Sequence, residues 1–169
     1  KGTNTKEFEE ATYKLAFLEY QNNNFDPLLD FIDNNPTSDY TYDALRSIIR
    51  HYKGISDTTS EIKYHLKFID LFPMNANALN SYGWRMSELE INLDDALEKT
   101  QLAIKLSSND SNAQADIIDT EAEVLWKMDR HDEAIEAINR AISIDPDNEY
   151  FKDQKEKFIQ SNKGEFQSA

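Results

Sequence analysis

Apolar residues recur at intervals of three and four along nearly the whole chain, and breaks in that rhythm divide it into nine segments. The spacing predicts helices over residues 5–22, 26–35, 39–53, 58–72, 76–90, 93–107, 112–128, 131–144 and 148–161. Start signals accompany several of them. Asp26-Pro27 reads as an N-cap followed by a first-turn proline, while "TTSE" (Thr58 to Glu61) and "SNAQ" (Ser111 to Gln114) have the spacing of a capping box. Pro36, Pro73, Ser108 and Pro146 each close an apolar run, at spacings of 37, 35 and 38. Periods of this length in an all-helical pattern predict stacked helix pairs, over about 5–36, 39–73, 76–108 and 112–146. The ninth segment, with Tyr150, Phe151, Phe158 and Ile159 as an apolar stripe and Lys and Glu elsewhere, reads as a capping helix, followed by a tail over 162–169.

The last pair is the most regular. In "DEAIEAINRAISIDPDN" (132–148), Ala134 and Ala141 flank Ile138 and Pro146 follows. Small residues there would let neighbouring helices approach closely while Ile138 fills the space between them. This arrangement resembles the second helix of a tetratricopeptide repeat. In the preceding helix, Ala122 and Leu125 also match, whereas Ile118 stands where Trp is common and Glu121 where Leu is usual; His131 replaces a turn aromatic. The third pair is similar through Gly83, Ala96 and Ala103. The second keeps Leu45, Tyr52 and Pro73 but has Glu61 and Phe68 at small-residue positions. The first keeps Ala16, Phe25, Leu28 and Ile32 with a shortened second helix. The resemblance implies an all-α fold, a right-handed superhelical array (α-solenoid) of about four antiparallel helix pairs plus a C-terminal capping helix, forming a single domain. The stretch "DTEAEVLWKMDRHDEAIEAINRAI" is also similar to the helical repeat region that follows thioredoxin-like domains in some bacterial proteins, which would place any redox chemistry outside these 169 residues.

Composition narrows the functions. The 169 residues contain 39% hydrophobic and 30% charged residues, enough apolar content for a core. Four glycines and four prolines disfavour phosphate-binding glycine loops and turn-rich β folds. No cysteine is present, which excludes thiolate nucleophiles, disulfides and cysteine-ligated metals. A net charge of −14 disfavours nucleic acid and anionic membrane surfaces as partners, and no apolar run is long enough for membrane insertion. The chain begins at Lys1 rather than Met, which points to a piece of a longer protein; compartment and oligomeric state stay open.

Catalytic and metal signatures are weak. His51, His65 and His131 lie on three different segments, as surface or interhelix histidines would. "DPDNEYFKDQKE" (145–156) has the acidic rhythm of a calcium loop, but Tyr150 stands where that loop needs glycine, so a repeat-boundary turn explains the same residues. Asp94-Asp95 and Asp132-Glu133 open helices, where carboxylates favour the positive end of the dipole. No nucleophile elbow is present, and neither enzyme activity nor a cofactor is expected.

What remains is recognition of a protein or peptide. In the array that the resemblance implies, the first helix of each pair lines a concave face. There the second pair offers Arg46, Arg50 and Lys53 as a basic stripe; the third offers Asn77, Asn80, Ser81, Trp84 and Glu88; the fourth offers Asp116, Asp119, Thr120, Glu123, Trp126 and Lys127; the first adds Tyr13, Phe17 and Tyr20. Family members that hold a ligand carboxylate do so with Lys, Arg and Asn along this groove, a role Arg46, Arg50 and Asn80 could take, although Asp116 and Asp119 oppose a full clamp. The expected partner-binding set is Arg46, Arg50, Lys53, Asn77, Asn80, Trp84, Asp119, Glu123, Trp126 and Lys127. The competing readings are a solvated stripe balanced by Asp43 and Glu61, tryptophans that pack between repeats, and, for the whole chain, a structural or oligomerisation spacer or an accessory region that positions substrate for a catalytic domain elsewhere.

Overall fold

The computed structural model describes residues 5–162; of the tail expected over 162–169, Asn162 ends the last helix and residues 163–169 lie outside the described residues. Among the described residues there are nine helices and no strand: α1 (Thr5–Gln21), α2 (Asp26–Asn34), α3 (Asp39–Gly54), α4 (Thr58–Leu71), α5 (Ala76–Leu89), α6 (Leu93–Leu106), α7 (Ser111–Lys127), α8 (His131–Ile144) and α9 (Glu149–Asn162). Neighbouring helices pack in pairs, and the chain divides into two compact units, Lys1–Leu71 and Phe72–Ala169. The first holds the hairpins α1–α2 and α3–α4; the second holds α5–α6, α7–α8 and α9.

The four hairpins share one turn. Asn23, Ser56, Glu90 and Asp129 have left-handed backbones with φ of 65°, 58°, 55° and 58°. In each case the next N–H donates to the carbonyl five residues back: Asn24 to Glu19, Asp57 to Tyr52, Ile91 to Met86 and Arg130 to Leu125, at 3.0–3.2 Å. This closure satisfies carbonyls that a helix end would otherwise leave open. None of the four turn residues is glycine, so each holds a conformation that costs an L-residue about 1 kcal/mol.

Helix starts depart from the expected caps. Asp57, not Thr58, accepts from Ser60 N at 3.1 Å, and Asp110, not Ser111, accepts from Ala113 N at 3.1 Å. Asp26 makes no capping bond and is already inside α2, with Phe25 at the cap position. Ser38 and Asn75 cap α3 and α5. An ionised carboxylate is the stronger acceptor for a helix N-terminus, which explains why the residue one place earlier displaces a hydroxyl. The Asp57 bonds to Ser60 hold its carboxyl below the usual aspartate range.

The second helices of the last three hairpins bury a stripe at four- and three-residue spacing. In α8 it is Ala134, Ile138 and Ala141; in α6, Ala96, Thr100 and Ala103; in α4, Glu61, His65 and Phe68. The small residues allow close approach: a Cβ at Gly83 of α5 would overlap the Thr100 hydroxyl of α6. In α4 the same positions carry a buried pair, with Glu61 Oε1 3.9 Å from His65 Nε2. Glu61 is therefore interior, not a surface balance for the arginine stripe. Glu121, at a position where leucine is usual, accepts from Gln101 of α6 at 3.1 Å and from Arg140 of α8 at 3.0 Å, so one buried carboxylate ties three helices of the second unit together.

Candidate functional site

The four turns give a common register for the first helices. Ten, six and three residues before the turn residue stand Tyr13, Phe17 and Tyr20 in α1; Arg46, Arg50 and Lys53 in α3; Asn80, Trp84 and Ser87 in α5; and Asp119, Glu123 and Trp126 in α7. At this spacing the three residues share one helical face. The row is thus the same structural position in every hairpin, and its surroundings differ.

In the first unit, the α1 row is filled. Tyr13 stacks on Tyr40 at 5.1 Å, Tyr13 and Phe17 stand 5.7 Å apart, and the Tyr20 hydroxyl donates to Ser47 O at 3.0 Å. Partial burial pushes the phenols of Tyr13 and Tyr20 up, and for Tyr20 the nearby Arg50 guanidinium opposes the rise. The α3 row is open: Arg46, Arg50 and Lys53 are all exposed. Arg46 lies 5.7 Å from the centre of the Tyr42 ring and 3.9 Å from Asp43, an exposed pairing worth little in water.

In the second unit, Asn77 is exposed, while Asn80 and Trp84 are half-buried. Asn80 Oδ1 is buried and has no hydrogen-bond partner among the described residues. The α7 row is covered by α9. Lys157 Nζ donates to Glu123 Oε2 at 2.5 Å, Trp126 Nε1 donates to Ser161 Oγ at 2.5 Å, and the Trp126 ring lies 5.8 Å from Phe158, with Lys157 over its face at 4.4 Å. Asp119 and Glu123 are buried. Burial, reinforced by Glu123 and Asp116, pushes the Asp119 carboxyl up to about 7; Lys157 and a hydrogen bond with Tyr150 pull the other way. Lys127, beside the row, is half-buried, donates to Glu90 at 2.7 Å and lies over Trp126 at 4.6 Å.

Tyr150, Lys157 and Ser161 thus belong to this environment although the sequence pattern gave them no such role. Phe151 and Phe158 are buried as the apolar stripe predicts, whereas Tyr150 is exposed and its hydroxyl accepts from Gln154 Nε2 at 2.5 Å. The amphipathic side chain follows its hydroxyl to a polar partner. The only advance signal was a row of acids on α7 followed about 30 residues later by lysine.

No catalytic constellation gathers around these rows. His51 lies between Phe25, at 4.0 Å, and Tyr52, at 5.3 Å; His131 lies 3.9 Å from Asp129. Among the described residues no group of three or more His, Asp or Glu is placed to hold a metal, and no helix is long and apolar enough to cross a membrane. Residues 149–156 of the calcium-loop-like stretch are helical, so their acids point around α9 instead of converging.

Comparison with known proteins agrees with the hairpin geometry at the C-terminal end. Residues 115–148 match the family model for the tetratricopeptide repeat. No curated protein matches the chain. With its small-residue stripe, shared turn and pairwise packing, the hairpin α7–α8 is a tetratricopeptide repeat within an all-helical repeat protein.

Proposed function

We propose that the chain is a non-enzymatic interaction module that holds a peptide segment or a neighbouring domain against the row on its first helices. Tetratricopeptide repeats generally mediate protein–protein interaction, which supports the coarse reading. One observation carries the finer one: the row that is filled by aromatic packing in α1 and by α9 in α7 stands exposed in α3, as Arg46, Arg50 and Lys53. Two guanidiniums one turn apart suit carboxylates, which they can hold bidentately. Within the second unit, Asn77, Asn80 and Trp84 form a candidate contact of their own. There the exposed Asn77 amide can exchange hydrogen bonds with the backbone of an extended peptide, with the half-buried Trp84 offering an apolar surface beside it. The corresponding residues of α7, Asp119, Glu123 and Trp126, are engaged with α9 or buried beneath it, and Lys127 pairs with Glu90, so they support the fold of the second unit in this reading.

The test is binding of a labelled acidic peptide with a free C-terminal carboxylate, measured over a salt series. Arg46→Glu with Arg50→Glu should weaken binding about tenfold or more and flatten its salt dependence, because two phosphate-free but charge-assisted contacts are lost. Lys105→Glu, an exposed charge reversal on α6, should leave it unchanged. Equal affinity in the double variant would remove the α3 row from the interface.

A further inference from the structure

The register that defines the rows also shows which faces of the first helices are used for packing. Twelve and eight residues before the turn residue stand Ala44 and Ile48 in α3, Ala78 and Tyr82 in α5, and Ile117 and Glu121 in α7; all six are buried. The corresponding residues of α1 are Ala11 and Leu15, and both are exposed. Fifteen residues before the turn, Thr41 of α3 donates to Asn35 O at 2.5 Å and Gln114 of α7 donates to Ile104 O at 3.1 Å, each reaching the C-terminal end of the preceding second helix. Phe8 holds that place in α1.

Phe8 is 69% exposed, Leu15 62% and Leu18 53%. They share a face of α1 opposite the Tyr13–Phe17–Tyr20 row. Phe8 and Leu15, with Ala16, Asp30 and Phe31, border an open groove of about 400 Å³ on the α1–α2 hairpin, and Leu18 lies further along the same face. An end helix that meets water has no need of such a face, and α9 shows the contrast with Lys152, Asp153 and Glu156 exposed.

We propose that this face of α1–α2 docks an amphipathic α-helix from another polypeptide, carrying an Ala/Leu stripe flanked by basic residues. The stripe follows from continuity with an interface already made in the molecule: Phe8 and Leu15 hold the register positions at which Gln114 and Glu121 of α7 meet Ile104 O and Gln101 of α6, so a helix seated there meets apolar side chains, and Ala and Leu give it an apolar face with high helix propensity. The basic flank follows from charge. Asp30 lines the groove and Glu7 and Glu19 stand on α1, while the nearby lysines are engaged, Lys14 with Glu10 at 2.6 Å and Lys6 with Asp39 at 3.5 Å. The same acidic rim, on a chain of net charge −14, disfavours a second copy. This surface is distinct from the α3 row and does not depend on it.

A fluorescent, lysine-flanked Ala/Leu peptide of about 15 residues, long enough to form a helix on binding, is the probe. Its anisotropy should show saturable binding that falls about tenfold or more in Phe8→Glu and Leu15→Glu. Both positions are exposed, and unchanged helical circular dichroism checks that the fold survives. Leu66→Glu, at an exposed leucine of α4, should bind as the parent does. Equal binding of a scrambled peptide of the same composition would overturn the proposal, as would indifference to both substitutions. A dimer seen by sedimentation without peptide, and broken by Phe8→Glu, would assign the face to a second copy and overturn it as well.

Discussion

The hairpins α3–α4 and α7–α8 have the same turn closure and the same inward spacing on their second helices, yet they use these positions in opposite ways. In α8 the inward positions are Ala134, Ile138 and Ala141, and the row on its partner α7 is sealed by α9. In α4 they are Glu61, His65 and Phe68, and the row on α3 is open. The backbone plan is therefore separable from side-chain chemistry. Small residues give close apolar packing in one hairpin; in the other, two titratable side chains and a phenylalanine occupy the same sites. A polar interior of this kind tolerates less change, since each buried polar atom needs its partner.

The largest expected effect tests that contrast directly. His65→Ala should destabilise the first unit by about 3–5 kcal/mol in chemical denaturation, because it opens a cavity and takes the imidazole from beside the fully buried Glu61. Glu61→Met with His65→Leu should recover most of the loss, since a well-packed apolar pair can replace a buried polar one. A loss in the double variant as large as in the single would show that the pair has no special role. In α8, Ala134→Leu or Ala141→Leu should cost about 1–3 kcal/mol by overpacking; a neutral result at both would break the parallel between the stripes.

The smallest effect concerns the sealed row. Asp119 has a folded-state pKa near 7, above its unfolded value near 4, so the folded state holds the proton more tightly. The stability from this group is fully present below about pH 4 and is lost as pH rises through about 7. Asp119→Asn should remove that dependence and leave the second unit about 1–3 kcal/mol more stable at pH 8 than the parent. Thermal melts of both proteins between pH 4 and 8 check it, and parallel curves would show that Asp119 is not the titrating group.

Much of this was legible in the chain. Helix spans were readable to within a residue or so because the apolar period is regular and glycine is rare. Caps were less so: a Ser/Thr capping-box pattern says nothing about a competing Asp one place earlier, and both Asp57 and Asp110 won that competition. The burial of Glu61 could have been inferred from its register with Ala134, but local charge balance pointed toward solvent. The burial of Asp119 and Glu123 could not be read locally, because it depends on where α9 lies.

Pro36, Pro73, Ser108 and Pro146 mark a near-regular repeat, and the shared turn measures the same hairpins from another point. Successive turn residues are 33, 34 and 39 apart, the last interval being long because α7 starts 18 residues before its turn residue where α5 starts 14 before, and because α6 starts three residues after its turn residue where α4 starts two after. The extra turn is added at the N-terminal end of α7, away from the closure and from the row counted back from it. The left-handed residue acts as an origin from which each hairpin is measured, and the opposite helix end takes up changes in length. A one-turn insertion after Asp110 should therefore be absorbed without shifting the register of the row, whereas a single residue inserted between Trp126 and Asp129 would rotate Asp119, Glu123 and Trp126 away from α9 by about 100°.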